Sequence, residues 1–318
     1  MSVMTRTEGG RAPDETKGPD PRSSSMARAG RWARRAPLLP ALIFTIVVTQ
    51  LPFAAAVVIS LMNWNAYYPD NRGFAGFGNF ASIFTDSNAR SAVLVTIVLT
   101  ASVVLVSLAL GLGIAILLDR PFRGRGVVRT MMITPFLVVP VAAALLWKHA
   151  LYNPEYGLLN GMLTWVFGDD APQPDWISEN PLVSIIVALV WQWTPFMMLI
   201  LLAGLQSRPL DVVEAARLDG ASSWQIFRHM TLPHLRRYIE LAGLLGAIYV
   251  VQNFDHVFTI TAGGLGTANL PYFIYETFYL AQDYGRASAA GVVTVIGTLI
   301  VAILALRTVF SIFKEETS

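Results

Sequence analysis

Apolar residues along this 318-residue chain gather into six blocks, at about 38–61, 91–118, 127–149, 182–203, 238–260 and 287–311. A bilayer hydrocarbon core of roughly 30 Å takes about 20 apolar residues in a helix, so each block predicts one spanning helix. The pattern is that of an all-α membrane protein with six transmembrane helices. Composition agrees, with 54% hydrophobic and 14% charged residues, whereas a soluble domain carries about 25% charged. The absence of cysteine excludes a disulfide framework, an iron–sulfur site and a thiol nucleophile.

Charge placement orients the bundle. With the amino terminus inside, segments 1–37, 119–129, 204–237 and 307–318 hold nineteen of the 23 Lys and Arg residues. The exceptions are Arg72, Arg90, Lys148 and Arg286, and loop 150–181 carries five acidic residues and no basic one. This bias places both termini in the cytoplasm, as an even number of spans requires. Residues 1–37, rich in Arg, Pro, Gly and Ser, read as a disordered basic cytoplasmic tail. The run Arg28, Arg31, Arg34 and Arg35 serves as a topology anchor against anionic headgroups. The apolar segment behind it, about 24 residues long, exceeds a signal-peptide core and is expected to remain as an uncleaved span. Residues 313–318 form a short cytoplasmic tail.

The outer loops have their own character. Loop 62–90 carries Trp64, Tyr67, Tyr68, Phe74, Phe77 and Phe80, suited to the headgroup region. Loop 261–286 opens on Gly263-Gly264-Leu265-Gly266 and continues through Tyr272, Tyr275, Phe278 and Tyr279, an amphipathic pattern matching a segment laid along the outer surface. Lys148 and His149, near the outer end of the third span, read as snorkelling interface residues.

One polar island, 205–236, interrupts the apolar blocks on the inner side. Pro209 suits the first turn of a helix, and Asp211 and Glu214 complement the positive end of its dipole. Asp219-Gly220 is a stop, because glycine readily takes the left-handed conformation that ends helices. Ser222 with Gln225 forms a capping box opening a second short helix to about His229, and Pro233 is expected to break it before the fifth span. The island therefore reads as two short helices joined by a glycine bend outside the bilayer.

The run Glu214, Ala215, Ala216, Asp219, Gly220, Ala221, Phe227, Leu232 and Pro233 resembles the EAA signature of bacterial ABC-importer permeases, with Arg237 where members often have a second proline. The resemblance continues through Leu117-Leu118-Asp119-Arg120-Pro121-Phe122, Pro135, Pro140, Trp147-Lys148 and Asn153-Pro154…Gly157. It includes Trp191-Gln192-Trp193-Thr194-Pro195-Phe196, Asn253-Phe254-Asp255 and Thr261-Ala262-Gly263-Gly264, where Leu265 replaces the usual proline. These are similar to sugar and sugar-alcohol permeases, and the third-span region looks most like sorbitol or mannitol types. The resemblance implies a type I importer permease fold over 38–312, with 205–236 as the loop that couples to an ATPase. It implies that Glu214 braces the second short helix, that Ala215 and Ala216 allow close approach, that Gly220 permits the bend, and that Asp219, Ala221, Trp224 and Phe227 belong to the docking surface. Implied partners are a second homologous permease chain, an ATPase homodimer and an extracellular solute-binding protein. ATP and magnesium belong to the ATPase, with no cofactor in this chain.

The fifth span supplies a separate reading. At about 100° per residue, Tyr249, Gln252, Asn253, Asp255, His256 and Thr259 fall within an arc of about 160°, opposite Val250, Val251, Phe254, Val257 and Phe258. Ionisable residues in a membrane face a cavity or the bundle interior, and amides, carboxylates and hydroxyls beside aromatic rings suit a polyhydroxylated solute. Interhelical hydrogen bonding is the alternative use of the same residues. Gln192, Trp193 and Phe196 flank Pro195, whose missing N–H frees a carbonyl, and join the candidate substrate path.

Catalysis finds no support. There is no phosphate-binding G-x-x-x-x-G-K-[ST] loop. His149, His229, His234 and His256 make no zinc-like set, and His256 reads as a hydrogen-bonding member of the polar face. An ATP-driven importer subunit for a sugar or polyol is the reading to test. The alternatives are a permease for another solute, such as an oligosaccharide or glycerophosphodiester, and an ion-coupled secondary transporter.

Overall fold

The computed structural model describes residues 36–315. The tail expected at 1–37 lies outside the described residues except for its last two, and so do the final three residues of the chain. The chain divides into two units, Met1–Ala55 and Ala56–Ser318. Helix α1 (Leu39–Ser60) is apolar throughout, with Pro52 inside it. Its Thr45 and Thr49 hydroxyls donate to Ala41 O (2.9 Å) and Thr45 O (2.7 Å), so these polar groups are satisfied within the helix.

The segment that follows is not wholly helical. Strands β1 (Met62–Asn63) and β2 (Gly73–Phe74) pair antiparallel, a small departure from the all-α expectation. Then come α2 (Gly78–Thr85) and the long α3 (Ser87–Asp119). Asp86 caps α3 by accepting from Asn88 N–H. At 33 residues and about 1.5 Å per residue, α3 exceeds the roughly 30 Å hydrocarbon core.

The third apolar block, expected as one span, is broken. Helix α4 (Arg125–Leu137) and α5 (Pro140–Leu145), which runs on to Leu151 through a wider turn, meet at 95°. Pro140 explains the break: its ring disfavours helical backbone at the preceding residue, and Val139 is extended, with ψ 134°. Beyond it lie α6 (Leu158–Phe167), the single-turn α7 (Trp176–Glu179) and the central α8 (Pro181–Gln206). Asp175 caps α7, and its bonds from the Ser178 hydroxyl (2.6 Å) and N–H (3.1 Å) lower its pKa.

After α8, α9 (Leu210–Leu218) precedes α10 (Ser223–Ile226), which does not end before the next span. It continues through a wide turn, Phe227–Thr231, into α11 (Leu232–Val251). This corrects the expected break at Pro233. The proline falls in the first turn of α11, where a missing N–H costs least, and the wide turn before it satisfies Leu232 N–H through Phe227 O. The fifth block is interrupted further on instead: α11 and α12 (Asp255–Thr261) are bent by 51° around Gln252–Phe254. The chain closes with α13 (Leu270–Tyr275), a wide turn Glu276–Leu280 and α14 (Tyr284–Glu315).

Helices α3 and α8 form the most extensive pairing, and α11 packs on both. Close approach needs small residues. A Cβ at Gly111 of α3 would lie 2.9 Å from Met198 N of α8, the kind of backbone crossing that joins helices in lipid. One core gathers Leu99, Val103, Trp147, Ile185, Leu189, Val250, Val257 and Tyr272; another gathers Ala115, Leu118, Met198, Leu201 and Leu235. Segment 262–280 is not laid along the surface as its pattern suggested. Thr267, Asn269, Tyr272, Phe273 and Thr277 are buried, and α13 packs between α3 and α14.

Among the described residues three helices, α1, α3 and α8, are long and apolar enough to cross a membrane, or five spans if each bent pair counts as one. The α11–α12 break rests on Asn269, which is fully buried. Its amide donates to Asn253 O (2.5 Å) and its carbonyl accepts from Tyr272 N–H (3.1 Å). Asn269→Ala should cost about 1–3 kcal/mol by leaving buried backbone groups unpaired. Thermal unfolding of the detergent-purified protein checks this, and an unchanged midpoint would show that other contacts hold the break.

Candidate coupling and conduction sites

The elbow between α9 and α10 is built by local sequence. Asp219 ends α9, Gly220 turns left-handed at φ +86°, and two bonds close the bend: Gly220 N–H to Arg217 O (3.1 Å) and Ala221 N–H to Ala216 O (3.0 Å). This pair of bonds is the Schellman arrangement, which satisfies carbonyls at a helix end. A Cβ at Gly220 would meet nothing within 4 Å, so the demand for glycine is conformational and not steric. Ser222 Oγ accepts from Gln225 N–H (3.3 Å) and Gln225 Oε1 accepts from Ser222 N–H (2.7 Å), completing the expected capping box. Pro209 stands one place earlier than expected, as the cap of α9 and not its first turn.

The elbow presents its side chains outward. Leu218 is 89% and Trp224 65% exposed, and Trp224 stacks on Phe227 with centroids 5.6 Å apart. Asp219, Gly220, Ala221, Gln225, Ile226 and His229 line a hollow of about 490 Å³ beside the bend. Ala215 is exposed and Ala216 half-buried. Glu214 is exposed and, among the described residues, makes no side-chain hydrogen bond or ion pair. The Schellman bonds and the capping box brace the elbow within this chain, and the Glu214 carboxylate remains available.

Sequence reasoning missed Arg208. Its Nη2 bonds Asp119 Oδ2 (2.7 Å), Nη1 donates to Thr231 Oγ1 (3.0 Å) and Nε donates to Leu205 O (2.9 Å). Asp119 and Arg208 each adjoin an apolar block, but nothing local shows that they meet across 89 residues.

The candidate conduction residues separate. The polar arc assumed one continuous helix; the break at Gln252–Phe254 replaces that geometry. Gln252 is exposed and donates to Ile248 O (2.9 Å). Asn253 lies in the break, its amide nitrogen 3.2 Å from His256 Nδ1. His256 is fully buried and Asp255 half-buried. Among the described residues Asn253 Oδ1 and His256 Nε2 are buried without hydrogen-bond partners. Gln192 is also buried and donates to Val138 O (2.9 Å), the carbonyl freed where α4 ends. Lys148 does not snorkel: its Nζ donates to Thr259 O (2.8 Å) near the end of α12.

Aromatic rings gather where the two breaks approach α8. Trp193 stacks on Tyr249 (5.5 Å) and meets Phe196 edge-on (5.7 Å). Phe136, which the sequence reading omitted, contacts both Trp193 (5.6 Å) and Phe196 (5.3 Å). Tyr249 remains 57% exposed, so the cluster has an open side.

The sequence profile described as "Binding-protein-dependent transport system inner membrane component" matches residues 107–313. The trehalose transport permease SugA of Mycobacterium tuberculosis is 33% identical over 253 residues, covering 80% of each chain. The trehalose/maltose transport permease MalF of Thermococcus litoralis is 32% identical over 274 residues, covering 85% of this chain and 91% of that one. In structure, the fold is similar to a bacterial alginate ABC transporter solved with an alginate pentasaccharide-bound periplasmic protein. The TM-score is 0.73 at 21% identity, over 86% of this chain and 92% of that chain. The chain belongs to the binding-protein-dependent transport family, as a multi-pass, non-catalytic permease of the ABC-transporter class.

The bend yields a direct test. Gly220→Val forces a β-branched residue into a left-handed conformation, at a cost of at least about 1–2 kcal/mol. Proteolysis confined to 214–229 should rise in the variant while membrane insertion is retained. An unchanged cleavage pattern would show that the bend does not need glycine.

Proposed function

We propose that this chain is a transmembrane subunit of an ATP-driven importer that moves a sugar or sugar alcohol into the cell. The observation that carries the reading is the elbow: a Schellman bend at Gly220 and a capped helix, inside the stretch matched by the family. An outward-facing elbow with Leu218 and Trp224 exposed suits a receiving surface on a partner. The partners proposed are an ATPase homodimer that holds ATP and magnesium, a second homologous permease chain, an extracellular solute-binding protein and the surrounding lipid bilayer. The sugar class is supported by relatives whose names specify trehalose and maltose.

In the proposed arrangement six spans place both termini in the cytoplasm, as the distribution of nineteen of 23 basic residues favours. α14, helical over 32 residues, supplies the sixth. ATPase closure pushes on the surface formed by Glu214, Ala215, Ala216, Asp219, Gly220, Ala221, Trp224 and Phe227. The bundle then shifts between inward-open and outward-open states, which requires ligands that bind the two states unequally. Solute passes the aromatic cluster Trp193, Phe196 and Tyr249, whose rings cover sugar C–H faces. Gln252, Asn253, Asp255 and His256 offer hydrogen bonds beside it. Gln192 shapes this path by holding the Val138 carbonyl. An ion-coupled carrier is disfavoured by the family assignment.

Reconstitution in proteoliposomes with the ATPase, the second permease chain and the binding protein tests the proposal. Uptake of labelled trehalose, maltose, sorbitol or mannitol should require ATP on the elbow side. Trp193→Ala should lower uptake of the transported solute about tenfold, the order of 1.4 kcal/mol of lost ring contact. Uptake that proceeds without ATP and collapses with an ionophore would refute the importer reading.

A further inference from the structure

The guanidinium of Arg208 reaches three elements at once. Nε holds Leu205 O in the last turn of α8, Nη2 holds Asp119, the final residue of α3, and Nη1 holds Thr231. Thr231 closes the wide turn between the elbow helix and α11, and it is buried at 3% exposure. Both charged partners are largely covered, with 17% and 24% of their side chains exposed. The far end of α3 is tied in the same way. Asp86, its cap, pairs with Arg286 at the start of α14, and that guanidinium lies over the Phe273 ring. Thus α3 carries an ion pair at each end, one to the outer face of the bundle and one to the elbow.

We propose that Arg208, acting through Asp119 and Thr231, is the positioning residue that turns movement of the elbow into movement of the bundle. The inference rests on the coupling role given above to the elbow. Because α10 continues into α11 through Phe227–Thr231, displacement of Ser223–Ile226 carries the Thr231 hydroxyl with it. A planar fork with fixed donor directions transfers that displacement to α3 and α8 together. A lysine is a point charge on a flexible stem and cannot hold three acceptors in fixed directions. Without the fork the elbow moves while the cytoplasmic ends of α3 and α8 stay in place, so ATP is spent without transport.

The reconstituted complex with all its subunits supplies the measurement: solute imported per ATP hydrolysed. Arg208→Gln and Asp119→Asn should each lower this ratio about tenfold or more, within the usual range of coupling between sites, while hydrolysis persists. The double variant should be no worse than either single one. Arg208→Lys should not restore the ratio. Should Arg208→Gln fail to assemble, Thr231→Val decides alone. It keeps the ion pair and exchanges only a hydroxyl for a methyl, and it should lower the ratio several-fold. A wild-type ratio in Thr231→Val, or uptake and hydrolysis falling in parallel in the charge variants, would overturn the proposal. Gly220→Val run beside them separates the two ideas. Normal coupling there removes the elbow's role, whereas a defect there with normal coupling in the Arg208 and Thr231 variants removes the clamp alone.

Discussion

At each of the two breaks within the apolar blocks a polar side chain from another element fills a freed backbone carbonyl, and the placing of those breaks depends on that matching. In a medium without water an unpaired backbone group costs several kcal/mol, so broken helices persist only where protein satisfies them. Gln192 of α8 fills the Val138 carbonyl at the α4–α5 break. Asn269 fills the Asn253 carbonyl at the α11–α12 break. Lys148 fills the Thr259 carbonyl near the end of α12, where a cation also complements the helix dipole. Thr96 of α3 accepts from Leu270 N–H at the start of α13 (2.8 Å).

The same distinction explains what could be read from the sequence. The apolar blocks, the glycine bend at Gly220 and the Ser222–Gln225 box are signals carried by contiguous residues; the structure contains the bend and the box, and among the described residues three blocks are long apolar helices while two are bent pairs. Pro233 was local as well but misled, because a wide turn absorbs its missing N–H without ending the helix. The breaks depend on partners far along the chain. Pro140 marks one of them in hindsight, but no proline marks Gln252–Phe254, and Asn269 lies 16 residues away from the carbonyl it satisfies. A periodicity computed across that break therefore grouped Gln252, which is exposed, with His256, which is buried. The Arg208 fork is less legible still, joining positions 89 residues apart.

The two candidate sites differ in how they are stabilised. The elbow is held by its own backbone, through the Schellman bonds and a capping box, with Val213 and Ile226 buried and most of its other side chains exposed. The aromatic cluster is held by packing between elements. Phe136 comes from α4, Trp193 and Phe196 from α8, and Tyr249 from α11. A site shared by three helices changes shape when any of them moves, whereas a site built into one short segment moves as a body. That division suits a receiver of force and a path for solute, respectively.

Helix continuity places these two sites at the ends of one rod. From Ser223 to Val251 the chain runs as a single helix through the wide turn, about 40 Å at about 1.5 Å per residue. One end is the elbow, and the other is the break where Asn253 and Asn269 meet, one turn beyond Tyr249. Had Pro233 ended the helix, as its position suggested, the elbow and Tyr249 would stand on separate helices. Because the proline is absorbed instead, the helix runs unbroken from Trp224 to Tyr249, and its first break lies just beyond the aromatic cluster. The Arg208 fork grips this rod at Thr231, near its elbow end. The interruption that the sequence conceals and the continuity that it denies together fix how far this helix extends and where it stops.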